Sequence, residues 1–598
     1  MRPIVFERTV GWLHPAAGRR GVVIAGAHGF EDLCSRRFLT LMARRMAEAG
    51  LPVLQFDYPG CGDAAGDHTE PGRVTAWIGS IASAIDQLKS ETGVVDVLVI
   101  GFRLGALLAP GAIAGRDDMA GLALLAPPLS GKAYTREMTG LSRMIDAALP
   151  PYEDGETEPF DGIEAAGFRT SAETNADLRE FGWRDHLIVS PGLDLLLMPP
   201  QLGAMDLDLA ERIKAVGGIA QLAPFDGFSR LMSHPTANEI PRSTLDVVVE
   251  WAAKRSKYTD VAHEAIAIVP KALEGDGYRE WPLTLGPTPE ICGVLCMPAD
   301  APAAAEVVLI LNAGAIPHTG WARGAVDMAR ALARRGIASM RVDLPGLGQS
   351  EAPAEKRLFL YDERGRDDVI RIVGWLEQYG FAKVCAVGIC AGAYQAFHAA
   401  RHDPRIAYLT MINPLCFAWN GSYALDMGLS KIRDNARAPL RPDAGREDEA
   451  GMREPDMHGP VLKSSTAKLG RRVLRNSLEL SKSALSSLPQ GGALAGRRVE
   501  RWMRDLTERG TRVLMVSCEG DLSLLEIARH FGPNGERLMR MKGVTMALLP
   551  AADHTLTPVH ARIQLTDHIA RLLGSPATVN ASTDVRPSQM SDLLNNRS

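Results

Sequence analysis

The chain has 598 residues, 46% of them apolar and 23% charged, a composition that excludes a single small domain, a disordered tract and a fibre. Its 66 Lys and Arg against 71 Asp and Glu leave a formal charge of −5, without the basic excess of a nucleic-acid binder. No uncharged apolar stretch reaches the roughly 18 residues of a membrane span, and Glu7 and Arg8 interrupt the N-terminus before a signal-peptide core can form. The expectation is a soluble, cytoplasmic protein with no nucleic-acid partner and no membrane span.

In chain order, short β-rich runs alternate with amphipathic helical stretches: VVIAGAH from Val22, FLTLMARRMAEAG from Phe38, PVLQFDYPG from Pro52, VTAWIGSIASAIDQLKS from Val74 and VDVLVIGFR from Val95. This alternation predicts βαβ units, hence an α/β fold with a mostly parallel sheet flanked by helices. An insertion at about 128–188 follows the fifth strand and is expected to form a cap. The plan then returns with EVVLILNAG from Glu306, AVDMARALARRG from Ala325, ASMRVDLPG from Ala338, DDVIRIVGWLEQYG from Asp367 and KVCAVGIC from Lys383, before a longer insertion at about 415–508.

The two runs are copies. Val22-Val23-Ile24 matches Val307-Val308-Leu309 at 285 residues, and Asp57-Tyr58-Pro59-Gly60-Cys61-Gly62 matches Asp343-Leu344-Pro345-Gly346-Leu347-Gly348 at 286. Gly101-Phe102-Arg103-Leu104-Gly105-Ala106 matches Gly388-Ile389-Cys390-Ala391-Gly392-Ala393 at 287, as does Pro127 with Pro414. A domain-sized repeat therefore divides the chain into 1–256, a linker 257–275, a second domain 276–575 and a loose tail 576–598.

The second insertion is basic: 463–504 holds ten Lys or Arg against Glu479 and Glu500, which reads either as a solvated surface or as a lure for an anionic substrate or acidic partner. The eight cysteines are too dilute for a disulfide scaffold, and Cys292 and Cys296 lack the second pair of a zinc site. No metal and no organic cofactor is implied. Buried small hydrophobe is the expectation for every Cys except Cys390, with Cys518 less certain because of its position.

Cys390 is singled out by Gly388-Ile389-Cys390-Ala391-Gly392, which follows the strand KVCAV and opens a helix. A sharp strand-to-helix turn holds its central residue in a strained conformation, and bulk two positions to either side would collide with strand and helix, so glycines are needed there.

With this elbow the chain resembles a tandem member of the α/β-hydrolase superfamily, over nearly everything except linker, caps and tail. The resemblance implies an acid after the next-to-last strand and a histidine after the last, which are Asp521 after RVLMVS and His554 after VTMALLP. Glu519 is an acidic neighbour of Asp521, and both stay open as the acid. The implied oxyanion donors are the N–H groups of Ala391 and Ala315, although Asn312-Ala313-Gly314-Ala315 stands where the family often has a His-Gly loop. His318 and Arg323 follow in that loop and are expected at the pocket mouth or on the surface.

The first copy lacks this chemistry. Its elbow residue is Arg103, Pro199-Pro200 follows the next-to-last strand, and His234 comes about seven residues late. Arg103 is read either as an anion-binding site or as a guanidinium neutralised by nearby acids such as Glu31, Asp32 or Asp63. The GFRLGA, NAG and ADHT segments are also similar to α/β-hydrolase-like proteins of exopolysaccharide and exosortase systems. The resulting expectation is a cysteine hydrolase of a carboxylic ester, lactone or thioester, acting on a small-molecule acyl substrate, as the resemblance to dienelactone-hydrolase-like enzymes permits. An acyltransferase with an acyl-CoA or acyl-carrier donor is the alternative, by resemblance to polyhydroxyalkanoate synthases, and a non-catalytic scaffold is the third reading.

Overall fold

The computed structural model describes residues 1–146, 160–236, 238–255, 271–286, 291–300, 305–352, 360–419 and 492–574. The tail 576–598, the linker residues 257–270 and most of the basic stretch, 463–491, lie outside the described residues.

The first half contributes β1 (Arg2–Phe6), β2 (Thr9–His14), β3 (Arg20–Ala25), β4 (Val53–Phe56), β5 (Asp96–Phe102), β6 (Met119–Leu125), the separate hairpin β7 (Gly162–Ala165) and β8 (Phe168–Ser171), then β9 (Asp194–Met198) and β10 (Ile219–Leu222). Eight of these form one sheet in the order β1-β2-β4-β3-β5-β6-β9-β10. The second half contributes β11 (Leu273–Gly275), β12 (Tyr278–Leu285), β13 (Ile291–Pro298), β14 (Glu306–Ile310), β15 (Ala338–Asp343), β16 (Lys383–Ile389), β17 (Ile406–Ile412), β18 (Arg512–Cys518) and β19 (Val544–Leu549). They form a nine-stranded sheet in the order β11-β12-β13-β15-β14-β16-β17-β18-β19. From β2 and from β13 onward the two orders are the same.

The central strands β3, β5, β14 and β16 are short apolar runs buried almost throughout, because helices cover both faces of a parallel sheet. In the first half, helices Phe30–Glu48 and Arg242–Ala253 pack one face through Phe38, Leu41, Leu245 and Val248, and helices Arg73–Thr92 and Leu104–Ile113 pack the other through Trp77, Ile81 and Leu107. In the second, Gly365–Tyr379 and Ala391–His402 cover one face through Ile372 and Phe397, and Gly324–Ala333 and Val559–Leu573 cover the other through Leu332 and Leu565. Each such aliphatic or aromatic side chain contributes about 1.5–3 kcal/mol on burial.

The strands that the alternating pattern does not announce are antiparallel and lie at the corresponding edge of each sheet: β1 and β2 in the first, β11 to β13 in the second. In β13, Ile291–Leu295 is buried at consecutive positions, so no period of two marks it. β11 also corrects the expected linker, because Leu273–Gly275 pairs with β12 and belongs to the second sheet.

The halves dock through related contacts. Arg323 donates to the carbonyls of Gly62 (2.8 Å) and Ala64 (2.6 Å), while Arg37, 286 positions earlier, donates to those of Gly348 (3.3 Å) and Ser350 (2.8 Å), which lie 286 positions after Gly62 and Ala64. Likewise Arg330 donates to the carbonyl of Asp63 (2.9 Å), and Arg44 to that of Gln349 (2.6 Å). A pattern in which each side's donor meets the other side's matching acceptor is that of a two-fold dimer interface, here realised inside one chain.

Candidate active site

The Gly388 to Gly392 segment turns where β16 meets the helix Ala391–His402. Cys390 has φ 55 and ψ −112, a conformation costly for any residue with a Cβ and held by what surrounds it. A Cβ on Gly388 would lie 2.1 Å from Gly392 C, and one on Gly392 would lie 2.5 Å from the Asn312 carbonyl oxygen. Helix, strand and the loop after β14 thus meet at backbone distance, and the Cys390 N–H is tied to Ile412 O at 2.9 Å.

His554 and Asp521 arrive at this turn from the ends of β19 and β18. Asp521 Oδ2 is 2.8 Å from His554 Nδ1, while Glu519 is exposed, so Asp521 is the acid that meets the imidazole. Asp521 Oδ1 also accepts from the Ser523 N–H at 2.8 Å. Asn413, at φ 46, steadies the imidazole loop: its Nδ2 donates to His554 O at 2.9 Å and its Oδ1 accepts from the Cys518 N–H at 2.8 Å. Asp553 braces the same loop through the Thr557 hydroxyl at 2.7 Å.

His554 Nε2 is buried and makes no hydrogen bond in the resting geometry, yet Cys390 and His554 lie close enough to set each other's charge. Burial opposes ionisation of the thiol, but the His554 charge, then hydrogen bonds from Tyr361 and the Ala391 N–H, outweigh it and hold the thiol below its ordinary range. Burial likewise opposes protonation of His554, and the Cys390 thiolate and Asp521 outweigh it, raising the imidazole well above its ordinary range. Each group thus favours the charged form of the other.

Tyr361 was not anticipated from sequence. Its hydroxyl is 3.6 Å from Cys390 Sγ, and its ring stacks on Trp419 at 5.3 Å and meets Tyr394 edge-on at 5.2 Å. It precedes the helix Gly365–Tyr379 in a loop that carries no motif, so only packing brings it to the sulfur. Ala315 packs against the apolar cluster that holds Ala391, Tyr361 and Leu347. A cavity at Ala391 is lined by Leu344, Leu347 and Leu360 and by the polar Asn312, Asp368 and Gln395.

His318 and Arg323 occupy neither the pocket mouth nor the surface. Both are buried between the halves, His318 against Asp63 of the first half at 2.6 Å and Arg323 against first-half carbonyls. The loop is charged because it is an interface, and an internal contact of this kind has no motif. In the described part of the basic stretch Arg498, Arg501 and Arg504 are exposed, Arg498 lying over Trp502 at 4.3 Å and Arg504 pairing with Glu500 at 3.0 Å.

In the first half Arg103 is not a free anion receptor. Its guanidinium donates to Glu31 at 2.7 Å, to Glu137 at 2.5 Å and to Ala126 O at 3.3 Å, and it lies over Phe228 at 5.4 Å. The expectation of an anion site there is corrected by this pairing, for which Glu137 of the first insertion was not foreseen. His234 is turned to Thr236 at 2.8 Å, and burial lowers its pKa to about 4.

A strand-to-helix turn held open by flanking glycines, with a carboxylate and an imidazole on later strand ends, is the site architecture of an α/β hydrolase. Comparisons with known proteins agree. Residues 18–163 match a family described as serine aminopeptidase, S33, and residues 307–563 match one described as the alpha/beta hydrolase family. The chain is a tandem member of the α/β-hydrolase superfamily, a hydrolase with one match in each half.

A search of curated proteins returns no match. Among solved structures, an alpha-beta serine hydrolase homologue from Coxiella burnetii is 12% identical with TM-score 0.29, covering 49% of this chain and 97% of its own. XC6422 from Xanthomonas campestris, a serine hydrolase without lid, is 14% identical with TM-score 0.29, covering 50% and 97%. Est1E from Butyrivibrio proteoclasticus is 16% identical with TM-score 0.27, covering 49% and 97%. Among the described residues no helix is long and apolar enough to cross a membrane.

Proposed function

We propose that the second half is a cysteine-nucleophile acyl hydrolase that opens a carboxylic ester, lactone or thioester, and that the first half is non-catalytic. The observation that carries this reading is the geometry of the elbow: Cys390 at φ 55 on the strand-to-helix turn, His554 close enough to it for the two to interact, and Asp521 bonded to Nδ1 of that imidazole at 2.8 Å.

In this mechanism the Cys390 thiolate attacks the acyl carbon, and the carbonyl oxygen takes the negative charge against the N–H groups of Ala391 and Ala315. Collapse breaks the bond to the leaving alkoxide or thiolate, which takes the proton from His554 Nε2, and leaves an acyl thioester on Cys390. His554, now neutral, takes a proton from water as that water attacks the thioester. Collapse of the second adduct expels the thiolate beside a restored imidazolium and releases the acid. Asp521 keeps Nδ1 protonated throughout, so that Nε2 is the atom that moves protons.

The apolar wall of Leu347 and Leu360 beside Ala391 suits an acyl chain. Eight free cysteines suit a reducing, cytoplasmic compartment. The test is incubation with aryl esters and acyl thioesters followed by intact-mass and peptide mapping. The expected result is a transient acyl adduct on Cys390 with release of free acid; turnover without any adduct at Cys390, or an adduct elsewhere, would overturn the assignment.

A further inference from the structure

We infer that Asp63 of the non-catalytic half is a positioning residue for the active site of the other half, acting through His318 on the loop that carries the Ala315 oxyanion donor. The inference rests on the mechanism proposed above.

The loop Asn312–His318 lies between the elbow and the first half. On the elbow side its Asn312 carbonyl lies where a Cβ on Gly392 would come within 2.5 Å. Within the second half, Asp343 holds both ends of it, accepting from Asn312 Nδ2 at 3.0 Å and from the His318 N–H at 2.7 Å. On the far side the first half supplies two contacts. Asp63 Oδ2 is 2.6 Å from His318 Nε2, both side chains being 0% exposed, and the Thr236 methyl lies 3.2 Å from where a Cβ on Gly314 would sit.

His318 is thus clamped between Asp343 at 2.8 Å and Asp63 at 2.6 Å. Burial opposes its protonation, but the two carboxylates outweigh burial and hold its pKa at about 10. The surrounding cluster balances: Arg330, Arg341 and His318 face Glu280, Asp343 and Asp63, with Arg341 to Asp63 at 3.0 Å and Arg341 to Glu280 at 2.7 Å. Without Asp63 a buried cation is left over.

Under the pseudo-two-fold relation the matching carboxylate is absent from the other side of the interface. The position matching Asp63 on the other side of the interface is Gln349, which is neutral and accepts from Thr40 Oγ1 at 3.0 Å. Asp57 and Asp343 accept from Asp63 and Gln349 backbone N–H groups at the same 2.9 Å, so the two turns share a geometry and differ in charge. The charge is found only on the side that faces the loop beside the cysteine elbow.

The experiment uses three full-length variants. Asp63→Asn combined with Arg341→Gln keeps the cluster neutral while removing the charged partner of His318. Asp63→Glu keeps the charge. Thr236→Ser removes only the methyl that meets Gly314 and keeps the hydroxyl bonded to His234. Each is measured for kcat and KM on p-nitrophenyl acetate, for the rate of Cys390 alkylation by iodoacetamide, and for thermal unfolding. A shifted donor weakens the transition state and leaves the thiolate intact. The neutral double variant is therefore expected to lose roughly 10- to 100-fold in kcat with KM and alkylation within about twofold. Asp63→Glu recovers part of the loss, and Thr236→Ser shows a smaller loss of the same pattern. Unchanged kcat in the folded variants, or alkylation falling in step with kcat, overturns the inference. The control Cys390→Ala separates the two proposals: if it retains full turnover, the nucleophile and the positioning role fall together; if it is inactive while the three variants turn over normally, only the positioning role falls.

Discussion

The two elbows share a backbone and nothing of their chemistry. Arg103 sits at φ 53 and ψ −108, Cys390 at φ 55 and ψ −112, each between a central strand and a helix. The glycines explain the match: a Cβ on Gly105 would lie 1.9 Å from Ala25 O, as one on Gly392 would meet Asn312 O. Close backbone packing imposes the turn whatever side chain stands at its centre. Everything around that centre differs. Cys390 faces an imidazole, whereas Arg103 faces Glu31 and Glu137; Asn413 ties the imidazole loop, whereas Ala126 at the matching position offers only its carbonyl. The same strained turn therefore accepts either residue, because its causes lie in packing, whereas reactivity depends on partners carried by separate loops.

The sharpest way to break this contrast is exchange of the central residues. Cys390→Ala is expected to lower turnover by about 10⁴- to 10⁶-fold, on the scale of nucleophile deletions in catalytic triads. Arg103→Cys should add no second active site, because His234 is engaged by Thr236; ester turnover in a Cys390→Ala, Arg103→Cys double variant would show that the elbow alone suffices. Next in size, Asp521→Asn should reduce turnover by roughly 10⁴-fold through loss of the working tautomer.

That second variant also has a pH signature. The Cys390 thiol is shifted down and the His554 imidazole up, which favours a pH range in which both are charged. Turnover falls as pH drops through the thiol's pKa and again as pH rises through that of the imidazole. Removing the Asp521 charge takes away part of what raises His554, and the alkaline limb should move to lower pH in rate profiles.

Arg103→Ala tests the other half. Glu31 would be left buried without its cation, at a cost of up to about 3–5 kcal/mol in denaturant unfolding, with kcat of the folded enzyme unchanged. The smallest effect concerns Tyr361→Phe. Losing one hydrogen bond to the thiolate should raise the Cys390 pKa, read from iodoacetamide labelling against pH. Labelling that stays where it was would leave the ion pair wholly to His554.

The α/β plan and the candidate site were legible along the chain to different depths. Alternation of apolar runs and amphipathic stretches marks the parallel strands because burial on both faces demands continuous apolar residues. The edge strands β11 to β13 carry no such mark, since antiparallel edges follow local contacts that differ from strand to strand. Cys390, Asp521 and His554 stood out because each follows a recognisable strand end. Tyr361 and Asn413 did not, because a hydroxyl near a sulfur or an amide on a loop carbonyl is a matter of distance alone.

The parallel strands and the elbow motif were legible in the sequence itself because each is a pattern of a few neighbouring residues, and the repeat because the same patterns return about 286 positions on. Only the tertiary structure decided what Arg103, His318 and Arg323 do. Their charges are balanced by Glu31 and Glu137, by Asp63, and by the carbonyls of the 62–66 turn, partners remote along the chain, and a buried charge takes its role from whichever partner folding brings beside it.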